Sequence, residues 1–255
     1  MQNLSGIQCE VCIDSVAGAL AAERAGADRV ELCSDLVEGG ITPSAGLIQA
    51  VVRATRLPVM VMIRPRGGDF CFDQSEVEIM LADIRIARDC GVAGVVIGAL
   101  TTDGKIDLPT CQVLCEQADG LGLTFHRAFD WVADPLQSLD EIMGLPRVDR
   151  LLTSGQQAIA VDGIPLLREL VARAQDRLSI MPGSGVNAGN AAVLLSETKC
   201  RELHFSAGDL VDSEVTFRRQ NVPMSAERTP GDAFRRITSA DKAQAIVAAV
   251  RAWKP

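Results

Sequence analysis

The sequence predicts an α/β protein, a closed parallel (β/α)8 barrel (the TIM-barrel fold) that forms a single domain over residues 1–255. Three observations favour this fold. Eight short apolar segments recur, their starts lie roughly 20 to 35 residues apart, and helix-like segments separate them. An open, doubly wound sheet is the alternative. It often has a glycine-rich turn after its first strand, and the stretch CEVCIDSVAG has none.

The strand candidates are short, mostly apolar runs, as expected of parallel strands that are covered on both faces. In chain order they are residues 7–12, 28–33, 58–64, 93–98, 122–127, 148–154, 178–183 and 202–206. Each is followed by residues with helical spacing, which is typical of βα units and a parallel sheet.

Stretches rich in Ala, Leu, Glu and Arg predict the helices between the strands. After the first strand, Asp14 is expected to be the helix N-cap and Gly26 the C-cap. The second helix is expected to begin near Pro43, and another spans residues 73–91. A last helix is predicted over residues 239–253.

The segment 208–239 does not fit the βα repeat. It is polar, rich in arginine and too long for a plain βα loop. We expect an ordered excursion or lid before the last helix. No linker or low-complexity tract divides the chain, so a single domain is predicted.

Composition narrows the function classes. Hydrophobic residues make up 47% of the chain and charged residues 23%, as in ordinary globular proteins. The net charge of −8 argues against a nucleic-acid partner. No apolar run has the roughly 18 residues of a membrane span, and the first residues lack signal-peptide features, so we expect a cytoplasmic protein without membrane contact. Its eight cysteines are then expected to be thiols.

Titratable side chains fall at or near the ends of several predicted strands, where barrel enzymes place their chemistry. A glutamate under an outer helix would lose its hydration without a partner, so Glu10 and Glu31 are expected to point into the barrel mouth. The only two histidines, His126 and His204, close strand-like runs. We predict that these four residues share one cleft with Arg64 and act as acid or base groups.

Arginines, serines and glycines near the same ends predict an anion site. We expect the arginines to pair with the interior glutamates and to hold an anionic substrate. The turn PGSGVNAGN after strand seven offers backbone N–H groups for an anion, although a simple tight turn is the alternative. The predicted substrate-binding residues are Arg64, Arg66, Arg127, Ser154, Gly183, Ser184, Gly185 and Ser206.

Cysteines suggest a metal site. Cys12 and Cys33 are expected on neighbouring strands at similar depth, and two thiolates suit Cu(I). Cys9 and Cys12 form a C-x-x-C pair, but strand residues three apart point to opposite faces and are not expected to share an ion. Cys111 and Cys115 could share a helix face, where buried cysteine usually behaves as a small hydrophobe. Zinc and calcium motifs are absent from the sequence.

Four motifs in order, ELCSDLVEGGITPS, VMIRPRGGDF, TFHRAFD and LLTSGQ, resemble the signatures of the CutC family, long labelled copper homeostasis proteins. The resemblance covers roughly residues 7–206. It implies a (β/α)8 barrel, a cytoplasmic location, a homo-oligomer and an association with copper.

Two function classes remain open. One is copper homeostasis, with Cu(I) as the ion. The other is an enzyme that uses Glu and His acid-base chemistry on a small anionic metabolite, phosphorylated or not.

Overall fold

A computed structural model describes residues 6–217, 219, 222 and 233–254. Its barrel strands are β1 (Gln8–Ile13), β2 (Arg29–Leu32), β3 (Val59–Met62), β4 (Gly94–Ile97), β5 (Gly122–Phe125), β6 (Arg150–Thr153), β7 (Ser179–Pro182) and β8 (Glu202–Phe205). The helices are α1 (Val16–Ala25), α2 (Ala45–Ala54), α3 (Gln74–Asp89), α4 (Leu108–Gln117), α5 (Pro135–Gly144), α6 (Ile164–Ala174), α7 (Ala191–Thr198) and α8 (Ala240–Ala252). Within the described ranges, no helix is both long and apolar enough to cross a membrane.

The eight strands form one parallel sheet in the order β8-β1-β2-β3-β4-β5-β6-β7. The predicted alternation of strands and helices is therefore confirmed. Seven of the eight strands lie within their predicted segments, and β1 extends one residue beyond its segment, to Ile13. The predicted full closure of the barrel is not observed, because across the described residues no hydrogen-bonded ladder joins β7 to β8. The barrel is nearly closed, with one unsealed seam.

Proline explains part of this seam. The backbone N–H groups of Ser179 and Gly183 donate to the β6 side, at 3.0 Å each. Alternate residues of a strand point their N–H groups to opposite neighbours, so residues 180 and 182 should donate toward β8. Pro182 has no N–H to donate. The strand that borders the seam thus lacks one of its donors.

Local capping sets the helix starts. Ser15, and not the expected Asp14, caps α1, since its side chain accepts from the Gly18 N–H at 3.1 Å. Gly26 ends α1 at φ 80°, as expected. Asp14 therefore lies in the turn between β1 and α1, where it lines the cavity described below.

A large apolar core lies between the strands and the surrounding helices. A second, smaller cluster positions the functional site. Its members are buried side chains from β1 to β4 and the turn after β2. They are Cys12, Cys33, Met60, Met62 and Val96, with Leu36 packed against them. Four of the five buried side chains in this cluster carry sulfur, the soft ligand atom that Cu(I) prefers.

The polar segment after β8 folds over the barrel mouth. Its described part contains an antiparallel pair of strands, β9 (Gly208–Asp212) and β10 (Phe234–Thr238). Arg236 and Ile237 of β10 line the mouth cavity. Residues 218, 220, 221 and 223–232 lie outside the described residues, so the expected lid is described only at its two ends.

Candidate metal and ligand site at the barrel mouth

A cavity of about 400 Å³ opens at the carboxyl ends of the strands. Its polar lining comes from β1, β2, β8, β10 and the turns after β3, β5 and β7. The polar side chains are Cys12, Asp14, Glu31, Arg64, His126, Arg127, Ser184, His204, Ser206, Arg236 and Thr238. Of the residues that the sequence assigns to the site, Glu10, Cys33, Arg66, Ser154 and Gly183 do not line this cavity.

The thiols of Cys12 and Cys33 form a buried pair with their sulfurs 3.9 Å apart. A Glu31 oxygen lies 3.5 Å from the Cys33 sulfur. The hydrogen bond from Cys33 lowers the pKa of the Cys12 thiol to about 5, and the nearby His204 contributes. The same hydrogen bond, together with burial, raises the pKa of Cys33 well above its usual value. The two opposite shifts favour a thiolate at Cys12 and a thiol at Cys33.

His204 lies beside this pair, where it is hydrogen-bonded to Glu10 and close to Glu31. Its Nδ1 lies 2.8 Å from Glu10 Oε1, and its Nε2 lies 3.7 Å from Glu31 Oε2. Burial alone would lower the pKa of His204, but Glu31 and Glu10 raise it well above its usual value. Burial would likewise raise the pKa of Glu10, but His204 and Arg29 lower it to about 2. Glu10 is therefore ionised, and it positions His204 from below the cavity.

Glu31 has the opposite environment. It is 2% exposed, and burial raises the pKa of its carboxyl well above the usual value. Its Oε1 atom has no hydrogen-bond partner among the described residues. The pKa values of two glutamates on neighbouring strands thus shift in opposite directions, because only Glu10 has a permanent cation beside it.

A line of alternating charges runs through the barrel interior. Arg29 Nε bonds Glu10, and its Nη2 lies 2.5 Å from Glu202 Oε2. Arg150 Nε lies 3.1 Å from the same Glu202 oxygen. We call Arg150, Glu202, Arg29, Glu10 and His204 the interior charge line. Arg64 or Arg127 was predicted to pair with the interior glutamates. This prediction was wrong for Glu10, whose partner is Arg29.

His126 is neutral and fixed in one tautomer. It caps the 3-10 helix Arg127–Trp131, where its Nδ1 accepts from the Ala128 N–H at 3.2 Å. The proton must then be on Nε2. Burial, and the charge of Arg64, lower the pKa of His126 to about 3. The Nε2 atom has no hydrogen-bond partner within the described ranges.

This neutral histidine predicts a pH effect on stability. Below pH 6.5 the unfolded chain protonates His126, whereas the folded protein does so only near a pKa of about 3. Stability is thus present above pH 6.5 and is lost as the pH falls, by about 1.4 kcal/mol per unit. We expect wild type to lose on the order of 2 to 3 kcal/mol more than His126→Asn between pH 6.5 and 4.5. Asn keeps the cap.

Urea unfolding at several pH values would measure this difference. His204, whose pKa is shifted in the other direction, is present in both proteins, so its contribution cancels in the comparison. Parallel stability curves for the two proteins would show that His126 is not buried as a neutral group.

Arg64 ties two loops together at the edge of the cavity. Its Nη1 donates to the carbonyl oxygens of Glu38 and Gly40, at 2.7 and 3.0 Å. Its Nη2 donates to Gly68 at 2.7 Å. Arg66 lies away from the cavity, where its Nε bonds Glu76 at 2.5 Å. Only the first of these two arginines is thus available to a ligand in the cavity.

Asp130, which sequence analysis missed, organises the loops after β5 and β6. It accepts from Arg127 Nε at 2.7 Å and from the Ser154 hydroxyl at 2.9 Å. Arg127 Nη2 also donates to Ser154 at 3.0 Å. Arg127 therefore reaches the cavity wall already paired, and Ser154 is buried beneath it. The sequence did point to this residue, since Asp130 is the last residue of the motif TFHRAFD.

The glycine-rich turn after β7 borders the cavity through Ser184 and Gly185, both with positive φ. Ser184 donates its hydroxyl to the Ala158 carbonyl at 2.7 Å. Gly183 sits one residue back, where a Cβ would lie 2.5 Å from the Leu152 side chain. Its lack of a side chain lets β7 pack closely against β6, which is a structural role.

Known proteins resemble this chain over most of its length. The sequence model of the CutC family matches residues 7–209. The copper homeostasis protein cutC homolog of Homo sapiens is 44% identical over 242 residues, which cover 95% of this chain and 88% of that protein. A family protein CutC of Pasteurella multocida is 48% identical over 216 residues, covering 85% and 88%.

Solved structures agree. The crystal structure of a CutC from Streptococcus agalactiae is 34% identical, with a TM-score of 0.75 over 78% of this chain and 98% of that one. N-(5'-phosphoribosyl)anthranilate isomerase from Pyrococcus furiosus has a TM-score of 0.57 at 12% identity, over 96% and 98% of the two chains. That second similarity shows the barrel fold alone.

Proposed function

Since the chain belongs to the CutC family, we propose that it is a copper homeostasis protein that binds one Cu(I) ion between Cys12 and Cys33. The single observation that carries this proposal is the buried sulfur pair, 3.9 Å apart. This separation would let both sulfurs hold one ion, since metal–sulfur bonds are about 2.3 Å long. Thiolates are the soft ligands that select Cu(I).

Charge supports a metal bound to thiolates. Cu(I) with two thiolates carries one negative charge. The raised pKa of His204 favours its cationic form beside the thiol pair, and His204 contributes to the lowered pKa of Cys12. A buried anionic complex needs such a cationic neighbour, so these surroundings favour copper bound to the thiolates.

Met62 carries a thioether sulfur, a soft ligand, and belongs to the same buried cluster as the two cysteines. Gly40 closes this side, since a Cβ there would meet the Cys33 sulfur at 3.0 Å and the Met62 methyl at 3.8 Å. Glu31 provides an oxygen on the other side of Cys33. We propose Met62 as the third ligand, because a thioether suits Cu(I) better than a carboxyl does.

Cu(I) competition tests the proposal. We expect the Cys12→Ser/Cys33→Ser protein to bind Cu(I) at least about 100-fold more weakly than wild type, because both thiolates are lost. Affinity would be measured anaerobically against a colorimetric Cu(I) chelator. The control is Cys111→Ser/Cys115→Ser, which removes two buried thiols of α4 outside the site.

Equal affinity of the site variant and wild type would move copper elsewhere or remove it from the function. An equal loss in both variants would point to nonspecific thiol binding. X-ray absorption at the copper edge would then report the number of sulfur ligands, which we expect to be three in wild type and two in Met62→Leu.

All eight cysteines are free thiols in the structure. This supports the further proposal that the protein works in a reducing compartment, the cytoplasm. The cavity beside the thiol pair also supports the second candidate, an enzyme that acts on a small anionic molecule, since its volume of about 400 Å³ suits a metabolite.

A further inference from the structure

Two buried N–H groups at the cavity lack partners. Arg64 Nε and His126 Nε2 have no hydrogen-bond partner anywhere in the described part of the chain. The residues that carry them are 5% and 3% exposed, and both line the cavity. Buried donors without acceptors are rare and costly in folded proteins. The pair therefore indicates an acceptor that the protein itself does not supply.

Neither donor can turn away to find another partner. Three carbonyl oxygens hold the two terminal nitrogens of the Arg64 guanidinium. The Ala128 N–H fixes the His126 ring and leaves its proton on Nε2. Phe70 packs against both, with its ring centre 4.8 Å from the guanidinium carbon and 5.0 Å from the imidazole centre. The two donors thus belong to one rigid wall.

The ligand must present acceptors to a cation and to a neutral N–H, which is the chemistry of an oxyanion. Arg236 and Arg127 add positive charge at the same cavity. The apolar part of the wall includes Leu36, Leu152 and Val186, while the carboxyl groups of Asp14 and Glu31 also line the cavity.

We propose that the cavity binds a small organic anion. A carboxylate or phosphate oxygen accepts from Arg64 Nε and His126 Nε2, and an apolar body packs against Phe70 and the opposite wall. This site adjoins the thiol pair, since Cys12 lines the same cavity, but it uses different groups: within the described residues, neither donor residue is hydrogen-bonded to Cys12 or Cys33.

Benzoate and phenyl phosphate are suitable probes, since they join an apolar ring to the two oxyanions in question, and benzyl alcohol is the uncharged control. We expect saturable binding of at least one anion by titration calorimetry, and none of the alcohol. Preference between the two anions assigns the ligand as a carboxylate or a phosphate. No saturable binding of either up to about 10 mM would overturn the proposal.

His126→Asn is the decisive variant. Asn keeps an acceptor for the Ala128 N–H, since it is a favoured cap, but it lacks a group at the Nε2 position. We expect the affinity for the preferred anion to fall by about 10-fold or more, as for the loss of a hydrogen bond to a charged group. His126→Gln, whose amide reaches the Nε2 position, should lose less. Unchanged affinity in His126→Asn would remove His126 from the site.

Two further measurements separate this site from the copper site. The ¹⁵N resonance of His126 Nε2 should shift when wild type binds the anion, which reports contact without any mutation. The Cys12→Ser/Cys33→Ser protein should bind the anion as wild type does, whatever its Cu(I) affinity. Loss of anion binding in that protein would contradict a separate site.

Discussion

Replacement of Arg29 by methionine is expected to lower the free energy of unfolding by about 3 to 5 kcal/mol. Arg29 is the cation between two carboxylates in the interior charge line, Glu10 and Glu202. Glu10 is fully buried, so water cannot replace the lost partner. Breaking a buried ion pair from one side leaves an uncompensated charge, which is costly even where the intact pair itself contributes little.

The double variant Arg29→Met/Glu10→Gln is the matched control. It removes the cation together with the carboxylate that depends on it most, while Glu202 keeps Arg150 at 3.1 Å. We expect it to recover most of the lost stability, because no buried charge is left without a partner apart from His204, which can release its proton. Urea unfolding followed by circular dichroism measures both variants. A loss below about 1 kcal/mol in the single variant would show that water reaches Glu10.

The eight-strand repeat was predictable because strands that are covered on both faces must be apolar along their whole length. The alternation of side chains along a strand also predicted that Glu31 and Cys33 share a face, because strand residues two apart point the same way. Cys12 and Cys33 were predicted to be neighbours at similar depth, and their sulfurs lie 3.9 Å apart. Their metal-binding role stays a prediction.

Pairing across the barrel could not be predicted. Arg29 opens β2 and lies beside Glu10 of β1 in the sheet register, but it also reaches Glu202 at the start of β8. Which side chains meet inside a barrel depends on the tilt and stagger of the strands. These two quantities cannot be read from short apolar segments of sequence. Glu10 was therefore predictable as an interior residue, whereas its partner Arg29 and the rest of the interior charge line were not.

Residues past the strand ends were the least predictable, because the two-residue alternation stops there. Arg127 and Arg66 were both expected at the mouth. Arg127 starts a 3-10 helix and reaches the cavity wall, whereas Arg66 turns toward Glu76 of α3. Their positions depend on loop hydrogen bonds, and for Arg127 the deciding partner is Asp130.

Asp130→Ala is expected to lower the free energy of unfolding by about 3 to 5 kcal/mol, an effect similar to that of Arg29→Met. The Asp130 carboxylate, 5% exposed, accepts from Arg127 Nε and from side-chain and backbone groups of the β6 loop. These are the Thr153 hydroxyl at 2.5 Å, the Ser154 N–H and hydroxyl at 3.0 and 2.9 Å, and the Gln156 N–H at 3.1 Å. Alanine would leave these donors without their acceptor.

Asp140→Ala is the control, since Asp140 also pairs with an arginine, Arg173, but is 45% exposed. Exposed pairs contribute little, so we expect its loss to stay below about 1 kcal/mol. Asp130→Asn should fall between the two, because an amide oxygen can still accept from some of the loop N–H groups but carries no charge for Arg127. If Asp130→Ala behaves like Asp140→Ala in urea unfolding, the loop donors must reach water, and the carboxylate does not hold the cavity wall in place.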